Sequence, residues 1–567
     1  MTRYAVALDI GTSGIRGQLL DLEARKVVRT CITTRNPIPG CNVMDHMSFA
    51  IQYGQELAHQ VLSDAVRQIL SKMTAEVPER ISVCGNPIQL SLFEGIDIRD
   101  LAYAGENKLK LEGIERKDRA GHVTDGGFLG LPDVQVIIPP AVRHEIGADA
   151  LAMMLKSGFL DDDYCMVTDY GTNAEMALKV GDKIYTGSAA AGPAMEGQQI
   201  GNGMIAGPGA LSDLVREPSG WRSKVLNDRL IPQDGPVLNI RSDMSRMEGA
   251  VPSGITGTGV VSLVYACQKD DRVEDAKIRS DSVRITRGIR FTTEDYKEAG
   301  KALGAIRAGH LTLMITAGVD PQEIGKMYMA GASGTYVDPV KAKAVGLVPP
   351  DSREVYQVGN TSLELAKDLA FDPDMLKDLE DLRKKLVTDH IMFASCDTFR
   401  DLYTYEFGYW NDGMPLNRYR RGLERYGVEG YLDRETPTNI TRLYETDIHD
   451  MGESLDILDL SPVMTSGWDC SSCGKCVSGC PEKALSLSDG VFSIRTGYCL
   501  GTSCQRCQEN CPERKFDYSS FRMERRRRIG GRGCTLSPRW PDSCRIRQGP
   551  WEANRVRSSR DRPSPTA

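Results

Sequence analysis

At 567 residues the chain exceeds what one hydrophobic core organises, so several domains are expected. With 41% hydrophobic and 26% charged residues it reads as a water-soluble globular protein, and no run approaches the roughly 18 uninterrupted apolar residues of a membrane span. A net charge of -7 lacks the basic surplus of a nucleic-acid binder, which excludes nucleic acid and membrane and leaves small molecules and proteins as expected partners. The N-terminus reaches Asp9 before any signal-like apolar core forms, so a cytoplasmic location is expected.

In chain order, the first recognisable unit is VALDIGTSGIRGQLL from Val6: an apolar run, Asp, a Gly-Thr turn and a second apolar run. It reads as a strand, a tight turn and a returning strand. MVTDYGTNAEMALKV from Met166 repeats that order 160 residues later. So long an interval does not suit a solenoid; it predicts two related lobes of one α/β protein, each opening on a hairpin, at residues 1–160 and 161–434. Between the two hairpins, Ile146, Ala150, Leu151, Met154 and Leu155 recur at helical spacing before Gly158, predicting a helix that bridges the lobes. His144, just ahead of it, lacks the second His of a zinc-protease helix and is expected on the surface or in packing.

GITGTG, from Gly254 to Gly259, lacks dinucleotide-fingerprint spacing and reads either as a nucleotide-proximal loop or as an ordinary loop before a helix. A long helical pattern runs from about residue 294 to 318, with a break expected near Gly309, and IGKMYMAGASGTYVDP then reads as a short strand and a glycine turn. Residues 435–461 are acidic and irregular and read as a linker. Beyond residue 520 the last 47 residues hold thirteen Arg and no Lys without apolar period, so 521–567 is expected to be disordered. The abrupt change fits out-of-frame or readthrough translation better than a basic arm.

Both Gly-Thr turns carry phosphate-binding chemistry. Glycine permits close backbone approach, and successive N–H groups with the Thr12 and Ser13 hydroxyls, beside Gly11 and Gly14, can donate to phosphate oxygens. Gly171, Thr172 and Asn173 offer the same donors. Asp9 and Asp169, each at a strand end, can hold Mg2+ through water or orient an attacking water. The competing reading is that Asp and Gly only shape two hairpin turns.

Of sixteen cysteines, eight crowd into one window, which suits a metal site and not a secreted disulfide framework. Cys470, Cys473, Cys476 and Cys480 form C-x2-C-x2-C-x3-C before Pro481; Cys499, Cys504, Cys507 and Cys511 form C-x4-C-x2-C-x3-C before Pro512. This is the bacterial ferredoxin pattern and predicts two [4Fe-4S] clusters in a ferredoxin-like α+β domain at 462–520. By analogy with two-cluster ferredoxins, Cys511 would join Cys470, Cys473 and Cys476, and Cys480 would join Cys499, Cys504 and Cys507. Two zinc sites are the competing reading.

The two hairpins together with Gly331-Ala332-Ser333-Gly334 resemble the superfamily of actin, sugar kinases and heat-shock ATPases. That resemblance implies a two-lobed fold with the phosphate turns facing across a cleft. Gly331, Ser333 and Gly334 would hold the adenosine of ATP, and VGNTSLELAK from Val358 would be a second connecting helix. More specifically, CGNPIQLSLFEGID from Cys84, SAAAGPAMEGQQIGNGM from Ser188, GITGTGVVSLV from Gly254, AIRAG from Ala305 and AVGLVPP from Ala344 resemble the ATP-dependent reductive activators of corrinoid proteins.

The resemblance covers about residues 1 to 520. It implies one-electron reduction of an inactive Co(II) corrinoid to Co(I), helped by ATP hydrolysis. Corrinoid methyl-carrier proteins and an external low-potential electron donor would be the partners. At 59 mV per tenfold for one electron, a gap of roughly 200 mV costs about 5 kcal/mol, within reach of a nucleotide-driven cycle. Many relatives carry an N-terminal [2Fe-2S] domain; this chain opens on its first phosphate strand, which places the resemblance in the methylamine-type branch. Relatives commonly show a Gly-Gly pair where this chain has Ala332-Ser333. Alternatives are an electron donor to 2-hydroxyacyl-CoA dehydratases, a redox-sensing kinase, and an assembly module using the cleft as a switch.

Overall fold

The structure, a computed structural model, describes residues 3–103, 106–142, 146–386, 390–461, 463–468, 470–520 and 522–523. His144 and, apart from residues 522–523, the Arg-rich end lie outside the described residues.

Two sheets share one plan. In the first, Tyr4–Ile10, Ile15–Asp21 and Lys26–Thr33 form an antiparallel meander, and Arg80–Gly85 adds in parallel beside the first strand. In the second, Cys165–Tyr170, Ala174–Val180 and Lys183–Ala189 repeat the meander, and Lys326–Ala330 followed by Glu354–Gly359 add in parallel. The first strands are apolar on both faces because helices cover both sides. Gln55–Met73, for instance, buries Ala58, Val61, Leu62, Ala65, Ile69 and Leu70 at helical spacing. The repeated hairpins therefore sit where two related lobes require them.

Ala148–Lys156 and Thr361–Phe371, the expected connecting helices, pack in the core of the first lobe beside Tyr4–Ile10 and Arg80–Gly85. The long helix, Thr293–Ala317, starts at a capping box of Thr292 and Asp295 and ends at the left-handed Gly318. It does not break at Gly309. There the missing side chain admits Met176 and Phe393, since a Cβ would stand 2.7 Å from Met176 Sδ; close packing offsets the roughly 1 kcal/mol that glycine costs inside a helix. Arg307 on the same helix makes a buried two-point ion pair with Glu406 of Asp397–Asp412, at 2.5 and 2.6 Å.

The segment 435–461 differs from the expected linker. Asn439–Arg442 pairs in parallel with Glu354–Gly359 of the second sheet, and Ser454–Leu458 pairs in parallel with Lys26–Thr33 of the first. Its acidic residues face outward or into the cleft while its backbone is committed to edge strands, which composition does not reveal.

The cysteine-rich unit is a small antiparallel sheet, Leu485–Ser488, Val491–Arg495, Val463–Ser466 and Arg522–Met523, with one short helix inside each cysteine run, carrying Cys476 and Cys507. The last strand extends the unit past the expected limit at 520. Its apolar residues, among them Phe492, Phe516 and Tyr518, join the core of the first lobe.

Candidate functional site

The two hairpin turns face one another across a cavity of about 500 Å3. Its walls include Asp9, Gly11, Thr12, Ser13 and Gly14 from the first lobe and Asp169, Gly171, Thr172 and Asn173 from the second. Gly331 and Ser333 line it too, at the N-terminus of the short helix Gly331–Tyr336; Gly334 is buried in that helix behind the wall. All but one of the nucleotide residues expected from sequence thus share one space. Gly331 has φ +79°, and a Cβ there would collide with Asp169 Oδ1, so glycine is required for the turn to approach the carboxylate. The GITGTG stretch serves both readings: Thr256 caps the helix Gly257–Lys269, and Thr256, Gly257 and Thr258 line the cavity.

Six carboxylates gather at this cavity: Asp9, Asp149, Asp169, Glu175, Glu196 and Asp447. Burial pushes the Asp149 and Asp169 carboxyls up to about 7, reinforced by neighbouring carboxylates. Asp9, Glu175 and Glu196 are raised for the same first reason, burial. The register explains part of the crowding, because Asp169 pairs across its hairpin with Glu175, whereas Asp9 pairs with Arg16. Arg16 reaches Asp9 at 3.5 Å and Asp447 at 3.7 Å and opposes the rise at Asp9. Among the described residues, no three Asp, Glu, His or Cys side chains converge tightly enough to hold a bare ion. A hydrated cation with its water shell intact suits such a spread of acids.

Supporting contacts come from elements that the two motifs do not include. Asn360, capping Thr361–Phe371, donates from Nδ2 to Asp9 Oδ2 at 2.9 Å while its Oδ1 accepts from Leu363 N. Asn86, capping Pro87–Glu94, donates to Thr12 Oγ1 at 3.1 Å. Glu196 spans the cleft: it accepts from Ser13 Oγ on one side and from Thr172 N at 3.1 Å on the other. An anionic carboxylate thus occupies donors of both turns, as a phosphate oxygen could.

The eight thiols divide as two crossed sets. Cys470, Cys473, Cys476 and Cys511 surround one small cavity with Trp468, Phe492 and Phe516. Cys499 lies within the electrostatic reach of Cys480 and Cys504, and Cys507 within that of Cys499 and Cys504. Burial pushes Cys499 up to about 11 and Cys507 up to about 12. Burial also works on Cys511, but the backbone N–H groups of Phe516, Lys515, Glu513 and Arg514 together bring its thiol below the ordinary value. Amides already point at sulfur, with Gly501 N donating to Cys499 Sγ at 3.4 Å and Lys515 N to Cys511 Sγ at 3.3 Å. Thiols ringing a pocket walled by Trp468, Phe492 and Phe516, with N–H donors aimed at sulfur, fit an iron-sulfur cluster.

Comparison with known proteins agrees with this pairing of features. The family description "RACo middle region" matches residues 4–162, and "C-terminal domain of RACo the ASKHA domain" matches residues 163–420. The chain is 43% identical over 516 residues to the "[Co(II) methylated amine-specific corrinoid protein] reductase" of Methanosarcina barkeri, covering 88% of this chain and 96% of that protein. It belongs to the family of corrinoid-protein reductive activators. A second family member, "Corrinoid activation enzyme RamQ" of Eubacterium limosum, is 23% identical over 403 residues, or 63% of this chain and 62% of that one. The solved "Reductive activator for corrinoid,iron-sulfur protein" shares the fold with a TM-score of 0.59 at 22% identity, over 72% of this chain and 66% of that chain. The fold is therefore the two-lobed one of the actin and sugar-kinase group. Among the described residues, no helix is long and apolar enough to cross a membrane.

Within the family fold, the sequence pattern pointed to both hairpins, to the glycine turn from Gly331, of which Gly331 and Ser333 reach the cavity, and to all eight thiols. It did not find Asp149, Glu196, Asn360, Asn86 or Asp447 as site residues. Two carried a usable signal, since Asn360 and Asn86 each stand directly before a helix in GNTS and GNPI.

Proposed function

We infer that this protein is an ATP-dependent reductive activator that returns the Co(II) corrinoid of a methyl-carrier protein to Co(I), serving methylamine-type systems. The observation that carries the reading is the joining, in one molecule, of a nucleotide-sized cleft walled by two Asp-x-Gly-Thr turns and a thiol cage docked on the same lobe.

Asp9 and Asp169 would take Mg2+ through its waters and orient the attacking water, while Thr12, Ser13, Thr172 and Asn173 donate to phosphate oxygens. The adenosine would lie against Gly331 and Ser333, with Gly334 packed behind them. Glu196 must release the Ser13 and Thr172 donors when phosphate enters, which ties lobe geometry to nucleotide occupancy. Cys470, Cys473, Cys476 and Cys511 would hold one [4Fe-4S] cluster and Cys480, Cys499, Cys504 and Cys507 another. When bound, such clusters supply one-electron storage and relay at low potential. The overall chemistry is balanced simply: an external low-potential donor gives one electron, and the substrate cobalt goes from Co(II) to Co(I).

The test is anaerobic optical spectroscopy of a Co(II) corrinoid carrier protein mixed with this protein and a strong reductant. A Co(I) band is expected only with Mg-ATP and the protein together, and Asp169→Ala is expected to abolish it without changing the cluster spectrum. No Co(I) in the presence of intact clusters and ATPase activity would refute the reading.

A further inference from the structure

Between the third strand of the first lobe and the helix Val43–Tyr53 runs TTRNPIPGC, residues 33–41, which no nucleotide or cysteine motif includes. Its first part is fastened to the phosphate turn. Thr33 Oγ1 accepts from Ile15 N at 2.8 Å, Asn36 N donates to Ser13 O at 2.7 Å, and Asn36 Nδ2 donates to Gly11 O at 2.8 Å. Its last part is fastened to the second cysteine run. Gly40 N donates to Cys499 O at 2.8 Å, and Gly501 packs against Pro39 and Gly40. Between the two ends, the Arg35 guanidinium lies over the Tyr498 ring at 4.8 Å, and both residues also line the nucleotide cavity.

The segment is built to be stiff. Pro37 and Pro39 fix two of its φ angles, and Pro37, Ile38 and Pro39 are all buried. Asn36 closes it internally by accepting from Ile38 N at 2.9 Å. A rigid piece hydrogen-bonded at one end to the backbone that would hold phosphate, and at the other to the backbone of a cysteine, is a contiguous physical link through which displacement of one can reach the other.

We propose that residues 33–41 are a strut through which nucleotide occupancy at the first phosphate turn is transmitted to the loop bearing Cys499 and Cys504, with Asn36 as its positioning residue. The proposal rests on the functional reading above. Movement of Gly11 and Ser13 on phosphate binding pulls on Asn36. The rigid prolines pass that movement to Gly40 and hence to the Cys499 carbonyl. Arg35 and Tyr498 give a second, side-chain route between the same two places. The N–H and O–H groups set around Cys499 would be displaced with it, and hydrogen bonds to cysteine sulfur are among the determinants of cluster potential.

The experiment is a redox titration followed by electron paramagnetic resonance on the full chain with clusters loaded. It is run with and without the non-hydrolysable analogue Mg-AMPPNP, alongside iron content and calorimetric affinity for the analogue. In the unaltered protein the nucleotide is expected to shift the midpoint or line shape of one cluster. Pro37→Gly/Pro39→Gly, which leaves every hydrogen bond of the strut available but removes its stiffness, is expected to keep iron content and nucleotide affinity and lose that shift. Asn36→Ala is the second variant and is expected to lose the shift as well. A full shift in both variants overturns the proposal. So does its loss only together with iron or nucleotide binding, which would mark a merely structural segment. No shift in the unaltered protein, with ATP-dependent Co(I) formation intact, overturns the strut and leaves the functional reading standing. Absence of Co(I) formation alone would strike the functional reading instead.

Discussion

Asn360→Ser separates two jobs of one side chain. Serine caps a helix about as well as asparagine, so Leu363 N keeps an acceptor and Thr361–Phe371 keeps its start. The shorter hydroxyl cannot reach Asp9 Oδ2, to which Asn360 Nδ2 now donates at 2.9 Å. Asp9 is only 6% exposed, and burial already raises its carboxyl, opposed by Arg16 and by Asn360. A hydrogen bond to a buried charged group contributes about 1.5–3 kcal/mol, and 1.36 kcal/mol is tenfold, so on the acid limb, where protonated Asp9 prevails, a step that needs ionised Asp9 should slow about 10- to 150-fold. The sign follows from the acid. Asp9 with fewer partners holds its proton to higher pH, so the acid limb of the ATPase profile moves upward and the deficit narrows in alkali. The assay is kcat/KM for ATP hydrolysis against pH, with thermal unfolding as the control for the cap. A variant profile that superimposes on the parent would refute the role given to Asp9 and Asn360.

The acid cluster also predicts how nucleotide binding responds to pH. With Asp149 and Asp169 pushed up to about 7, Mg-nucleotide must displace protons below that value, so affinity should rise between about pH 6 and 8 and Asp149→Asn should flatten the rise; calorimetry in buffers of different ionisation heat would check it. Tyr518, hydrogen-bonded to the Cys499 thiol, should lower the potential of the cluster held there when changed to Phe, and a redox titration showing no change would sink that assignment. Glu406→Ala leaves Arg307 buried without its partner and should destabilise the second lobe by about 3–5 kcal/mol, read as a lowered denaturant midpoint; a loss below about 1 kcal/mol would show the pair to be dispensable. Cys476→Ser should reduce iron content and stop Co(I) formation while ATP binding persists; collapse of the whole fold would instead assign the clusters a structural role.

What could be read from the sequence was local. The two Asp-x-Gly-Thr hairpins, the connecting helices and the eight spaced thiols each carry their signal within a few residues, and the structure has each element at the expected place. Glu196, Asp149 and Asp447 carry no such signal. Each is an ordinary acid in its own segment and becomes part of the site only because separate strands and helices bring it to one cavity. The Gly309 break failed for a related reason, since local propensity yielded to the packing of Met176 and Phe393 against the helix. Acidic composition made 435–461 look unstructured, although backbone pairing alone decides that its two short stretches are strands.

Those two strands limit how the molecule can be taken apart. After Asn439–Arg442 joins the second sheet, the chain crosses to lay Ser454–Leu458 along Lys26–Thr33 before it enters the cysteine-rich unit. A cut at residue 450 would strip an outer strand from the first sheet and leave Lys26–Thr33 as an open edge that could pair with another molecule. No interchangeable tether separates engine from wire. A graft that gives this electron-handling unit to another ATPase, or a new one to this chain, has to bring residues 454–458 with it and find a matching sheet edge on the recipient.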